Sequence, residues 1–282
     1  MRFWCSQLFE PWSWTPRPYV GVWLLMALAW YDRHRALRRV SAVLPRDAVI
    51  TTRQRWWFWL GLFAFWVASD WPVGTLGAGY LASVHMMQYM IYTLVAAPLL
   101  LMSLPAWRFD ELVAKLHAER PMRFLARPLP AAILANVILI ATHAPLSVDA
   151  LRATQVGSFV LDIIWLVGGW LLWVPVLGPS SDYQMRSLPG RMIYLFFAAQ
   201  LFAMVPGGFL TFAGAPLYST YELAPRLGLS PLDDQQLAGA IMKVGSLPVI
   251  WSVIIVLWVR WSNQEQAQQQ REIAERRRNV AG

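Results

Sequence analysis

The chain has 282 residues, of which 57% are hydrophobic and only 14% charged, with a formal charge of +8 and a mean hydropathy of +0.41. A soluble domain would carry roughly 25% charged residues, and the lone Cys5 cannot form an intramolecular disulfide, which excludes a stapled extracellular scaffold. No CxxC, P-loop, GxGxxG or nucleophile–base pattern occurs, so an enzyme is not expected.

The apolar runs read as helices of about 20 residues, the length that crosses ~30 Å of hydrocarbon. Residues 1–18 lack a basic n-region before an uninterrupted apolar core, so no cleaved signal is expected and the first span, near 18–31, stays attached. Trp12, Trp14 and Tyr19 are placed to anchor its outer end. A loop with seven arginines leads to a second span near 56–71. The third, near 76–104, is long enough to need a bend, which Pro98 supplies by removing a backbone donor. WRFDELVAKLHAER, in the basic loop that follows, has helical spacing and suits the membrane surface. Further spans lie near 129–144, 156–177 and 191–212. Pro206-Gly207-Gly208 predicts that the last of these is broken or packed closely on a neighbour. In SPLDDQQ, Ser230 is placed to cap the seventh span, near 236–258, with Pro231 in its first turn and Asp233 as the acidic capping partner. The polar, basic tail 260–282 continues as a helix.

These assignments predict a single all-α membrane domain, 1–259, of about seven transmembrane helices in the lipid bilayer. Nineteen of the 24 Lys and Arg residues fall on one side of it; Arg2, Arg17, Arg152 and Arg226 fall on the other, and Lys243 lies in a span. This is the positive-inside asymmetry, and it accounts for the net charge without nucleic acid. It places the N-terminus outside and the tail in the cytoplasm of a bacterial-type inner membrane.

Ionisable groups within spans are costly and ask for a reason. His85, Tyr89, His143, Asp162 and Lys243 all fall in the outer half of the bilayer, where one polar cluster could assemble. His85 and Tyr89 are i, i+4 neighbours, either as ligands or a proton path, or as two side chains that satisfy each other. Met86, Met87 and Met90 place thioethers beside His85, a chemistry suited to Cu(I), although methionine is also common packing. Asp162 and Lys243 lie at similar depth and are expected to pair. Tyr218 lies in the outer loop 213–235, and Ser230, Asp233, Asp234 and Gln235 open the seventh span.

SVHMMQYMIYTLVAAPLLLMSLP resembles the HM-x-x-H segment and following apolar run of the CtaG family of cytochrome c oxidase assembly factors. THAP at 142–145, GGWLLWVPVLGP, APLYSTY and LDDQQLAGAIM resemble its later motifs, in the same order, over residues 18–260. The resemblance implies a seven-span protein that matures cytochrome oxidase with its subunits or other assembly factors as partners. It also implies copper delivery from the outer face, with His85 and His143 as ligands, to which Met86 could add a thioether for Cu(I). Three positions depart from the pattern: Tyr89 and Asp162 stand where histidines are expected, and Lys243 where an aromatic is expected. A metal-free scaffold or accessory partner of an oxidase and a proton- or solute-handling transporter are the competing readings.

Overall fold

The computed structural model describes residues 2–45, 49–201 and 204–281, and no strand occurs among them. Fourteen helices are labelled here in chain order. They are α1 (Val20–Ser41), α2 (Thr52–Ser69), α3 (Val73–Gly79), α4 (Ala82–Met102), α5 (Ala106–Lys115), α6 (Glu119–Leu125) and α7 (Pro128–His143). After these come α8 (Pro145–Arg152), α9 (Gln155–Leu177), α10 (Leu188–Leu195), α11 (Met204–Phe212), α12 (Ser219–Glu222), α13 (Pro231–Val244) and α14 (Leu247–Ala281).

Four stretches are long and apolar enough to cross a membrane: Ala82–Met102, Gln155–Leu177, Leu188–Phe212 and Pro231–Asn279. The pair α6–α7, bent by 85°, makes a fifth if taken as one span. The helices α1 and α2 are not among them, although both were expected to span. The chain is an all-helical, multi-pass membrane protein.

Local chemistry explains where the elements start and stop. Thr51 and Gln54 form a reciprocal capping box at α2, satisfying two donors that a helix start leaves free. The helix expected over WRFDELVAKLHAER stops at Lys115, because His117 takes a left-handed φ of 50°. The His117 and Ala118 amides then donate back to Ala114 and Val113 carbonyls, closing the helix as a Schellman turn. The third span starts at Ala82 rather than near 76, since Tyr80 and Leu81 separate it from α3. Within α4, Ile91–Ala96 widen into a π-helical turn just before Pro98, which accommodates the donor that proline lacks.

The core is built on α9, whose Leu161, Trp165, Leu172, Trp173 and Val176 are buried. Gly169 lets α9 meet α4 closely: a Cβ there would lie 2.7 Å from Ala97 Cβ and 2.8 Å from Thr93 Cα. Gly207 of α11 and Gly239 of α13 make a similar contact, with a Cβ on Gly239 only 2.7 Å from the Gly207 carbonyl. Small residues thus bring backbones together where hydrocarbon offers no hydrophobic drive. Pro206-Gly207-Gly208 lie inside α11, and of the three it is Gly207 that packs closely on α13. The N-terminal segment straps across the end of the bundle. Trp4 and Cys5 have no solvent exposure, and the Gln7 amide donates to the Arg152 carbonyl at 2.8 Å.

Candidate functional site

Three helix ends assemble the polar cluster. The start of α4 has no side-chain cap of its own; Asp234 of α13 supplies one. Its Oδ2 accepts from the Ala82 amide (2.6 Å), and its Oδ1 from the Ser83 amide (3.2 Å) and hydroxyl (2.5 Å). His85 follows one turn inside. The helix α7 ends at His143, because Ala144 is extended ahead of Pro145, the conformation a following proline favours. The short α8 then carries Arg152 back over the bundle, and Thr154 caps α9 through the Gly157 amide at 3.0 Å, two turns before Asp162.

Arg152 and Asp162 have no solvent exposure, and Nη2 lies 3.0 Å from Oδ1. That contact is ionic, without hydrogen-bond alignment, and it leaves both Arg152 Nη atoms and Asp162 Oδ1 without hydrogen-bond partners among the described residues. Asp162 Oδ2 accepts from Trp4 Nε1 at 2.8 Å, with Cys5 Sγ at 3.9 Å. A buried carboxylate is thereby compensated by a cation and by an indole donor.

The two histidines are fixed in one tautomer by their partners. The Tyr221 hydroxyl donates to the Gly77 carbonyl at 2.7 Å and lies 2.7 Å from His85 Nδ1. Its single proton goes to the carbonyl, which can only accept, so His85 Nδ1 carries a proton and donates to the hydroxyl oxygen. Arg152 Nε also points its N–H at the same nitrogen, from 3.4 Å, the longer and weaker of the two contacts. His143 Nδ1 faces the Leu139 carbonyl at 2.8 Å and must likewise donate. In a neutral ring Nε2 is then the unprotonated nitrogen, and in both histidines it is buried without a hydrogen-bond partner among the described residues.

Trp165 is the hub between them. It stacks on His143 (centroids 5.6 Å apart, 18°) and meets His85 edge-on at 4.8 Å. Arg152 Cζ lies 5.1 Å from its ring, a cation–π contact, and its Nε1 donates to Thr142 Oγ1 at 3.1 Å. The His85 and His143 rings are 5.8 Å apart, and Tyr89 packs 4.7 Å from His143.

Of the residues singled out in the sequence, His85, Tyr89, His143 and Asp162 come together. Lys243 does not join them: its ammonium sits 4.9 Å from the Phe212 ring, and Asp162 pairs with Arg152. The expected Asp162–Lys243 pair is thus corrected. The reason is reach, since α8 folds Arg152 directly over α9 while Lys243 turns toward α11. Met86 is buried in a neighbouring cluster with Tyr218 and Tyr221, whereas Met87 is 46% exposed. Tyr218 donates to the His143 carbonyl at 2.8 Å. Ser230 caps α13 as expected, accepting from the Asp233 amide at 3.1 Å. Asp234 instead caps α4, and Gln235 Oε1 accepts from the Leu217 amide at 2.6 Å, so the first ties α13 to the site and the second ties the preceding loop to α13.

Sequence reasoning missed Arg152, Trp165, Trp4 and Cys5 as site residues. Arg152 carried a usable signal: it is one of four basic residues on the arginine-poor side, and each of those asks for a local reason. Trp165 stands three residues after Asp162, on the same helix face.

The family model for cytochrome c oxidase caa3 assembly factors matches residues 14–264, which covers every residue of this cluster except Trp4 and Cys5. The chain belongs to that family. Comparison with curated proteins found no match, and comparison with solved structures found none either.

The cluster is sparse in metal donors. Among the described residues no group of three His, Cys, Asp or Glu side chains is placed to hold a metal ion. What the cluster offers is two neutral imidazole nitrogens with free lone pairs. Each ring is oriented by a hydrogen bond through its other nitrogen, as ligating histidines are. Two neutral donors suit a soft, singly charged ion better than a divalent one. Asp162 offsets the nearby Arg152 charge that would otherwise repel such an ion.

Proposed function

We propose that this assembly factor handles Cu(I) in transit to a cytochrome oxidase, holding it through His85 Nε2 and His143 Nε2. The observation that carries the reading is the pair of buried, partnerless Nε2 atoms, whose tautomers are set by Tyr221 and Leu139. Copper is cargo here: it is received, held without a third strong ligand, and released. Weak, low-coordinate binding suits a donor that must give its ion up.

The proposed setting is the bacterial inner membrane, crossed seven times, with α1 and α2 as the first two spans and the His85 cluster at the outer end. The charge asymmetry supports this orientation. A reporter fused after Gly282 should then be cytoplasmic, and one inserted at Ser219 should face outside.

A metal-free reading has its own support, namely the Arg152 guanidinium beside His85 and the missing third donor. In that reading the cluster only fixes the shape that oxidase subunits recognise. Anaerobically purified protein titrated with Cu(I) separates the two. About one copper per chain, lost in His85→Ala and in His143→Ala with the fold retained, supports transit. No copper in the wild-type protein, together with full oxidase maturation by His85→Ala, leaves the scaffold.

A further inference from the structure

Two cavities meet at the opposite, arginine-rich end of the bundle. The larger, about 310 Å³, is a groove between α1, α2, α4, α5 and α9, at the lower end of the ~300–1,000 Å³ range of small-molecule sites. Its depth is apolar, with buried Leu62, Phe65 and Leu166, and exposed Ala29 and half-exposed Trp170 form its rim. The smaller, about 160 Å³, is lined by Trp30, His34, Arg55 and Trp59. Arg33, Leu37 and Phe58 line both.

Arg33 is held at the junction. Its Nη1 donates to the Ser103 carbonyl (3.0 Å) and its Nη2 to the Gln54 carbonyl (3.3 Å), while its Cζ lies 4.4 Å from the Phe58 ring. Among the described residues no carboxylate forms an ion pair with Arg33 or Arg55. Asp32, also at the groove mouth, is engaged by Arg108. The combined site is therefore an apolar slot ending at two guanidiniums that no described carboxylate pairs with, flanked by tryptophans of the kind that favour the headgroup region.

We propose that this paired cavity binds an anionic phospholipid, with one acyl chain in the groove and the phosphate at Arg33 and Arg55. Charge complementarity selects the headgroup: a zwitterionic lipid would bring a second cation to two arginines, whereas an anionic one neutralises them. The groove selects a lipid over a free anion, because a soluble phosphate leaves the apolar slot empty. Basic pockets between membrane helices recognise anionic headgroups in this way. The bound lipid would wedge α1 against α2 and α9, and its binding is independent of copper.

The test uses full-length protein in micelles containing equal phosphatidylglycerol and phosphatidylcholine, with bound lipid counted by native mass spectrometry. The wild type should retain one phosphatidylglycerol with a preference of about tenfold. Arg33→Gln with Arg55→Gln should abolish the preference, and Ala29→Phe, at the exposed rim, should lower occupancy by either lipid. Excess inorganic phosphate should displace nothing. Equal retention of both lipids, or an unchanged preference in the double arginine variant, would overturn the proposal. So would displacement by inorganic phosphate, which would make the ligand a free anion. Unaltered occupancy in Ala29→Phe would remove the acyl chain from the groove.

Discussion

Arg152 and Asp162 face each other at 3.0 Å with no solvent exposure, whereas at the arginine-rich end Arg108 bridges to an Asp32 that is 64% exposed. Around Arg108 the charges form a shared surface network: Glu111 accepts from Arg39 (2.7 Å) and Arg108 (2.6 Å) and lies 3.1 Å from Lys115. The two ends use the same residue types for different ends. Water can take over from the exposed members Asp32, Arg39 and Lys115, so the loss of any one of them is shared among the others, although Arg108 itself is buried. Nothing can take over from Arg152 or Asp162, so each exists only on condition of its partner. The buried pair also sits against His85 and Trp165, which couples its integrity to the site.

The largest effect is therefore expected at the buried pair. Asp162→Asn and Arg152→Met should each lower stability in detergent by ~3–5 kcal/mol, the cost of stranding a buried charge. The double variant Arg152→Met/Asp162→Asn should be clearly milder than the sum. Thermal unfolding of the four proteins measures the coupling, and simple additivity would mean that the ion pair carries no joint energy. A Lys243→Met variant should show no coupling to Asp162→Asn, in keeping with the place of Lys243 on Phe212.

A smaller loss is expected one step out. Tyr221→Phe removes the hydroxyl that receives the His85 Nδ1 proton and bonds Gly77, leaving two buried polar groups unmet. It should cost ~1–3 kcal/mol. If copper is bound through Nε2, it should also weaken Cu(I) affinity, because the ring is free to turn or to change tautomer. Titration of folded Tyr221→Phe with Cu(I) checks this, and wild-type affinity would remove the tautomer lock from the copper reading.

The smallest effect belongs to the surface network. The hydrogen bond from Arg39, with those from Arg108 and Lys115, holds the Glu111 carboxyl down at about 2 against the opposing effect of burial. A depressed carboxyl favours the folded state at neutral pH, and that contribution fades as pH falls below the ordinary carboxylate range and through about 2. Glu111→Gln should thus cost at most about 1 kcal/mol at pH 7 and flatten the acid limb of a pH–stability curve. An equally steep acid limb in the variant would place the proton uptake elsewhere.

Much of the candidate site was legible in the sequence because polar groups in apolar helices are conspicuous. His85, His143 and Asp162 stand out for that reason alone, and the Ser230 cap follows from residue type and spacing. Asp234 was read only as one of the residues that open the seventh span, but it caps α4 from across the bundle, a relation between distant segments that spacing cannot express. Arg152 looked like an ordinary loop cation; only the turn of α8 makes it a buried partner.

Composition and hydropathy by themselves determined that the chain is a helical membrane protein, since backbone amides in hydrocarbon must be bonded within their own segment. They also determined which polar residues interrupt the apolar runs. Only the tertiary structure decided that Asp162 takes Arg152 rather than Lys243, that Trp165 joins the two histidines, and that each Nε2 is the free nitrogen. Helical periodicity sets which residues share a face, whereas pairing across helices depends on which backbones approach, and glycines such as Gly169 and Gly239 set those approaches.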